Sequence, residues 1–163
     1  CTGAHTLSVA TVRLARNHDK SGKRPNGSVY VNAIVNDADT GGTLVTDLQN
    51  GQVTLKVHDG SAFGVTLTLT NCSVRRSGIV FCEDPSRKMK ATSKRIRRHY
   101  PHGSDYGMLY KMVVHRTGLG TSETGSDQPS GSVQVILHQT LVDRPELMNN
   151  CAPSGNNAFL CRG

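Results

Sequence analysis

Gln52-Val53-Thr54-Leu55-Lys56-Val57-His58-Asp59-Gly60-Ser61-Ala62-Phe63-Gly64-Val65-Thr66-Leu67-Thr68-Leu69-Thr70 reads as two strands and a turn. Val53, Leu55 and Val57 alternate with Gln52, Thr54, Lys56 and His58, and Val65, Leu67 and Leu69 alternate with Thr66, Thr68 and Thr70. Successive side chains of a strand point to opposite faces, so this period of two separates an aliphatic face from a face of Thr, Lys and His. Asp59-Gly60 is a hairpin signal, loosened by Ser61 and Ala62. A strand buried on both faces would be a continuous apolar run; these strands belong to an antiparallel sheet with one polar side.

Working outward, the same pattern recurs. Leu7, Val9, Val12 and Leu14 mark a first strand over Thr6–Leu14 with imperfect alternation, and Val29, Val31, Ala33 and Val35 mark a second over Ser28–Val35. Thr43–Leu48 reads as a short strand and Ile79–Cys82 as a short apolar piece. Gly107–His115 carries Met108, Tyr110, Met112 and Val114 on one face, with Leu109, Lys111, Val113 and His115 on the other. Val133–Val142 is a further strand. Asn17–Gly27 and Thr117–Ser132 are loops, polar and rich in turn formers. Asp84-Pro85-Ser86 resembles a helix start, with Asp84 as N-cap and Pro85 at the first helical position, so Arg87–Tyr100 reads as a helix or as a basic loop. Asp143–Leu147 is a second short helical candidate, and Asn149–Gly163, rich in Asn, Gly and Pro, is expected to be irregular. The expected fold is mainly β, with α+β as the variant: an antiparallel sheet of six to eight strands and one or two short helices, in one domain spanning residues 1–163.

Composition narrows the function. Hydrophobic residues make up 36% of the chain, above the disordered range, and Trp is absent, so Val, Leu, Ile, Ala and Met must build the core. No apolar run approaches the ~18 residues of a membrane span, and no membrane partner is expected. The polar start at Cys1 leaves open whether an initiator Met or a signal peptide preceded it. Charge is unevenly placed. Arg75–Arg116 holds eleven of the nineteen Lys and Arg residues and three of the twelve acids, so the formal excess of +7 resides in one quarter of the chain. Lys94-Arg95-Ile96-Arg97-Arg98 is its densest part, and such a concentration suits a polyanionic partner.

The polar sheet face is a second candidate. Lys56, His58, Thr66, Thr68, Thr70, Lys111 and His115 would share one side if their strands were neighbours, and hydroxyls with ammonium groups suit phosphate and 2′-OH contacts. Solvent-facing strands also favour Thr, so each residue alone fits an ordinary exposed sheet equally well.

Catalytic and metal signals are sparse. His99 and His102 are two imidazoles where a zinc site needs three or four ligands. No Gly-x-Ser-x-Gly elbow is present, and Gly118–Gly125 lacks a Gly-Lys pair and opens no apolar helix. The chain reads as a non-enzyme without cofactor or metal. Cys72 and Cys82, and Cys151 and Cys161, are each ten residues apart. A secreted reading bridges 72–82 and 151–161 and leaves Cys1 over; the odd count argues against a finished intramolecular framework and allows a free thiol or bridges between subunits. The sequons at Asn26 and Asn71 match the about two that chance supplies and carry no weight.

Leu109-Tyr110-Lys111-Met112-Val113-Val114-His115, the loop Thr117–Ser132 and Val133-Gln134-Val135-Ile136-Leu137-His138-Gln139 resemble the coat proteins of single-stranded RNA bacteriophages, in which two long strands flank an inter-subunit loop near the end of a meandering sheet. Val65–Asn71 followed by Arg75-Arg76 is similar to an earlier strand of that sheet. The resemblance covers about half the chain. It implies a dimer that assembles further into a virion shell, with RNA against the sheet. The expected RNA-binding residues are Lys56, Thr66, Thr68, Arg75, Arg76, Lys94, Arg95, Arg97, Arg98 and Lys111. The rival expectation is an extracellular, disulfide-bonded β-sandwich that binds acidic glycans.

Overall fold

A computed structural model describes residues 7–60, 63–96, 108–125, 131–155 and 157–163. The strands are β1 (Leu7–Ala15), β2 (Gly27–Asn36), β3 (Thr54–His58), β4 (Gly64–Thr68), β5 (Cys72–Val74), β6 (Val80–Glu83), β7 (Met89–Ile96), β8 (Leu109–Leu119), β9 (Val133–His138), β10 (Asp143–Met148), β11 (Cys151–Pro153) and β12 (Ala158–Arg162), with two short helices, α1 (Leu44–Gln49) and α2 (Thr121–Thr124). An eight-stranded sheet runs β11-β12-β1-β2-β8-β7-β6-β5 and a four-stranded sheet runs β10-β9-β3-β4. Every pairing is antiparallel. Val12, Val31 and Val114 of the larger sheet share one buried cluster with Leu55, Leu67 and Val135 of the smaller, so the sheets stack face to face as a sandwich.

The alternations read from sequence place the core. Val29, Val31, Ala33 and Val35 are buried, as are Val53, Leu55, Val57, Val65, Leu67 and Leu69. The imperfect period of β1 is a register shift between Val9 and Thr11, a bulge that lets Leu7, Val9, Val12 and Leu14 all face inward.

Several segments differ from expectation: the expected loop Thr117–Ser132 begins with the end of β8 and contains α2, and the expected strand Val133–Val142 ends at His138. Thr43–Leu48 is largely helical: Gly41 and Gly42 take φ of 73° and 95°, the Asp37 carboxylate accepts the Leu44 N–H at 2.7 Å, and the apolar residues buried are Leu44 and Leu48, one helical turn apart. Met89–Ile96 is a strand. Met89, Ala91 and Ser93 face inward while Lys90 and Lys94 face outward, and a full ladder to β8 outweighs the helical start signal at Asp84-Pro85. Residues 97–100 of that expected helix lie outside the described residues. Asp143–Leu147 is also extended; its Pro145 sits on an edge strand, where a missing N–H costs no ladder bond. The Asn/Gly/Pro-rich tail forms the β11–β12 hairpin.

Two disulfides fasten the ends of the larger sheet. Cys72–Cys82 joins β5 to β6 and Cys151–Cys161 joins β11 to β12, each between directly opposed residues whose Cα atoms are 4.0 Å apart. Each edge strand of this sheet is only three residues long.

A buried polar cluster ties the two sheets together. Arg144 on β10 is fully buried. Its Nε donates to Gln139 Oε1 at 2.7 Å, Nη1 to the Asn36 carbonyl at 2.8 Å and Nη2 to Asp37 Oδ1 at 3.2 Å. Gln139 Nε2 also donates to Asp37 and to Asp47, at 3.3 and 3.4 Å. The cluster thus links the smaller sheet to the end of β2 and to α1. Replacing Arg144 by Ala strands a buried carboxylate and should cost about 3–5 kcal/mol of stability, read from the denaturant midpoint with disulfides intact. A loss below about 1 kcal/mol, the scale of a surface pair, would show that the cluster does not hold the sheets.

Candidate polyanion interface

The sandwich divides the expected polar face in two. Lys56, Thr66 and Thr68 lie on the outer side of the four-stranded sheet, whereas Lys111 and His115 lie on the outer side of the eight-stranded sheet. Stacked sheets are ~10 Å apart and their outer faces point in opposite directions, so one ligand surface cannot include both groups. The strands on either side of the Thr117–Ser132 region also separate: β8 pairs with β2 and β7, while β9 pairs with β3 and β10. The neighbouring long strands implied by the coat-protein resemblance are therefore not neighbours here.

Strand register defines the larger outer face row by row. Arg13, Tyr30, His115, Lys90 and Glu83 are successive cross-strand partners on β1, β2, β8, β7 and β6. The next row is Arg162, Thr11, Asn32, Val113, Thr92, Phe81 and Ser73. The third is Ser8, Ile34, Lys111 and Lys94. Its two cations are exposed and directly opposed. Directly opposed side chains have Cβ atoms about 4.5–5.5 Å apart, and like charges there destabilise a sheet. Among the positions of these three rows stand five cations (Arg13, Lys90, Lys94, Lys111, Arg162) and one acid, Glu83, which is 3.5 Å from Arg87. The smaller outer face has one cation, Lys56, and one acid, Asp143, which contacts His138.

Arg75 belongs with the larger face. It follows β5, and its guanidinium sits 4.1 Å above the ring of Phe81, an outer-row residue. Arg76 is exposed in the turn between β5 and β6. Arg95 is opposite Tyr110, on the inward register, so it points away from Lys94 although adjacent to it in sequence. Arg97 and Arg98 lie outside the described residues, as do His99 and His102. Arg13, Lys90 and Tyr30 were missed by sequence reasoning. Each occupies an outward position of its strand, but only the pairing of β1, β2, β8 and β7 brings them together.

Among the described residues no group of three or more His, Cys, Asp or Glu side chains gathers as a metal ion would need. Comparison with known protein families, curated proteins and solved structures finds no match to this chain.

The turn before β7 sets how Lys90 and Lys94 are presented. Asp84 Oδ1 accepts the Met89 N–H at 2.9 Å, Asp84 also binds the Ser86 hydroxyl, and Arg116 lies 3.8 Å away. The Met89 amide first, then the Ser86 hydroxyl, hold the Asp84 carboxyl below the usual carboxylate range. A depressed pKa contributes stability that is complete above the unfolded-state pKa and lost as pH falls through the folded one. The hydrogen-exchange protection factor of Met89 should therefore hold from neutral pH into the ordinary carboxylate range and fall below it, and Asp84→Asn should abolish that step. A Met89 protection factor that ignores acid would contradict the capping role.

Proposed function

We propose that this chain is a non-enzymatic binding module, a disulfide-bonded β-sandwich that takes an acidic glycan across the outer face of its eight-stranded sheet. The carrying observation is the exposed, directly opposed pair Lys94 and Lys111 in a row without an acid. An arrangement unfavourable in the free protein becomes favourable when sulfate or carboxylate groups sit between the ammonium groups. The difference in charge between the two outer faces supports a single binding side. Two intrachain bridges support an extracellular or otherwise oxidising location, where such bonds persist.

A second reading keeps the RNA-packaging coat: a self-associating protein of a virion, with RNA phosphates on the same basic face. It is favoured by the apolar residues of the opposite face, where Leu147 is 57% exposed beside Pro145 and Ile136, a surface suited to subunit contact. The bridges weigh toward the glycan reading, because both close within the chain.

Heparin chromatography tests the binding face. Lys94→Gln/Lys111→Gln should elute at clearly lower salt and reduce the log–log salt slope by about one to two, as each lost cation releases fewer counterions. Lys56→Gln should elute with the parent. Equal effects of the two variants would overturn the assignment of the face. Megadalton particles dominated by absorbance at 260 nm, in a protein without Trp, would favour the coat reading instead.

A further inference from the structure

The larger outer face is not uniformly flat. Ala15 and Ser28 are cross-strand partners with small side chains, and next to them stand Arg13 and Tyr30, also partners. His115 follows Tyr30 across β8, and Leu160 follows Arg13 across β12. Small residues bordered by large ones leave an open depression of about 430 Å³ lined by these six side chains and Thr11. That lies at the smaller end of ligand sites, about 300–1,000 Å³.

Its chemistry is mixed in a specific way. Tyr30 is half-buried, and the His115 ring meets it edge-on, with centroids 6.2 Å apart and planes at 69°. This contact helps to fix an aromatic surface on the outer face of the sheet. Leu160 adds a second apolar wall. Arg13 supplies a planar fork that matches a carboxylate in two hydrogen bonds, and Ser28 and His115 supply groups for hydroxyls.

Resting on the acidic-glycan reading above, we propose that this depression is a subsite for one uronic acid ring. The C–H face of the pyranose packs on Tyr30 and Leu160, its carboxylate pairs with Arg13, and its hydroxyls meet Ser28 and His115. Lys90, Lys94 and Lys111 then take the acidic groups of neighbouring sugars. A single strand of RNA is less suited, because such strands are read by successive stacked bases. Among the outer-row residues the other large aromatic side chain, Phe81, lies beneath Arg75.

Calorimetric titration of the full, disulfide-bonded chain tests this. The probes are a short oligomer of galacturonic acid, its methyl ester and a single-stranded oligoribonucleotide. The acid oligomer should bind at least about tenfold more tightly than the ester, since esterification removes the charge-assisted pairing with Arg13. Tyr30→Ala should weaken it about tenfold or more through loss of stacking, and Arg13→Gln should narrow the preference for acid over ester to the part that Lys90, Lys94 and Lys111 contribute. Equal binding of acid and ester by the parent, or unchanged binding by Tyr30→Ala, overturns the subsite. Tyr30-dependent preference for the oligoribonucleotide overturns it in favour of RNA. If the subsite fails while heparin elution still depends on Lys94 and Lys111, the binding face stands without it. Loss of both removes the polyanion reading as well.

Discussion

An open sheet has to end, and its last strands expose unpaired N–H and C=O groups that invite another chain. The eight-stranded sheet meets this constraint in the same way on both sides. β5 and β11 are three residues long, and each is covalently fastened to its inner neighbour by a disulfide between opposed cysteines. Short, tethered edges offer little length for strand addition. Each bridge closes a ten-residue separation, a loop for which chain entropy alone suggests a stabilisation of about 2–3 kcal/mol. With one face of the sheet given to the core, the outer face is the broad surface left to meet a partner.

Charge is handled oppositely in the two places where it concentrates. Inside, Arg144 meets Asp37 and Gln139 at bonding distance, so burial is matched by hydrogen bonds. Outside, Lys94 and Lys111 are placed side by side at the surface, where water screens but does not remove their repulsion. The first arrangement holds the two sheets in register. The second adds nothing to the fold; under the proposed function the acidic groups of a ligand would relieve it. Arg75 is intermediate: stacked on Phe81, it keeps its charge while its position on the face is restrained.

Much of the core was legible because aliphatic residues at alternate positions admit few other meanings. Val53 to Val57 and Val65 to Leu69 are of this kind. β7 was hidden because two of its three inward residues, Ala91 and Ser93, are small or polar, leaving Met89 as the one large apolar side chain beneath a conspicuous series of cations. β10 was hidden because its first inward residue is an arginine, with Met148 buried only at its end, and the burial of Arg144 makes sense only with Asp37, over a hundred positions earlier in the chain. The site was half legible for a related reason. Alternation tells which residues leave the core but not which sheet they leave from, so Lys56 was grouped with Lys111. The opposition of Lys94 to Lys111, and of Arg13 to Tyr30, is set by registers that no local pattern encodes.

The most direct test of a binding face on the eight-stranded sheet is amide chemical-shift mapping of the isotopically labelled, disulfide-bonded protein during titration with a heparin oligosaccharide. Perturbations should concentrate on β1, β2, β7 and β8, around Arg13, Tyr30, Lys90, Lys94 and Lys111. Perturbations confined to β3, β4, β9 and β10 would place the partner on the other side of the sandwich and contradict the account.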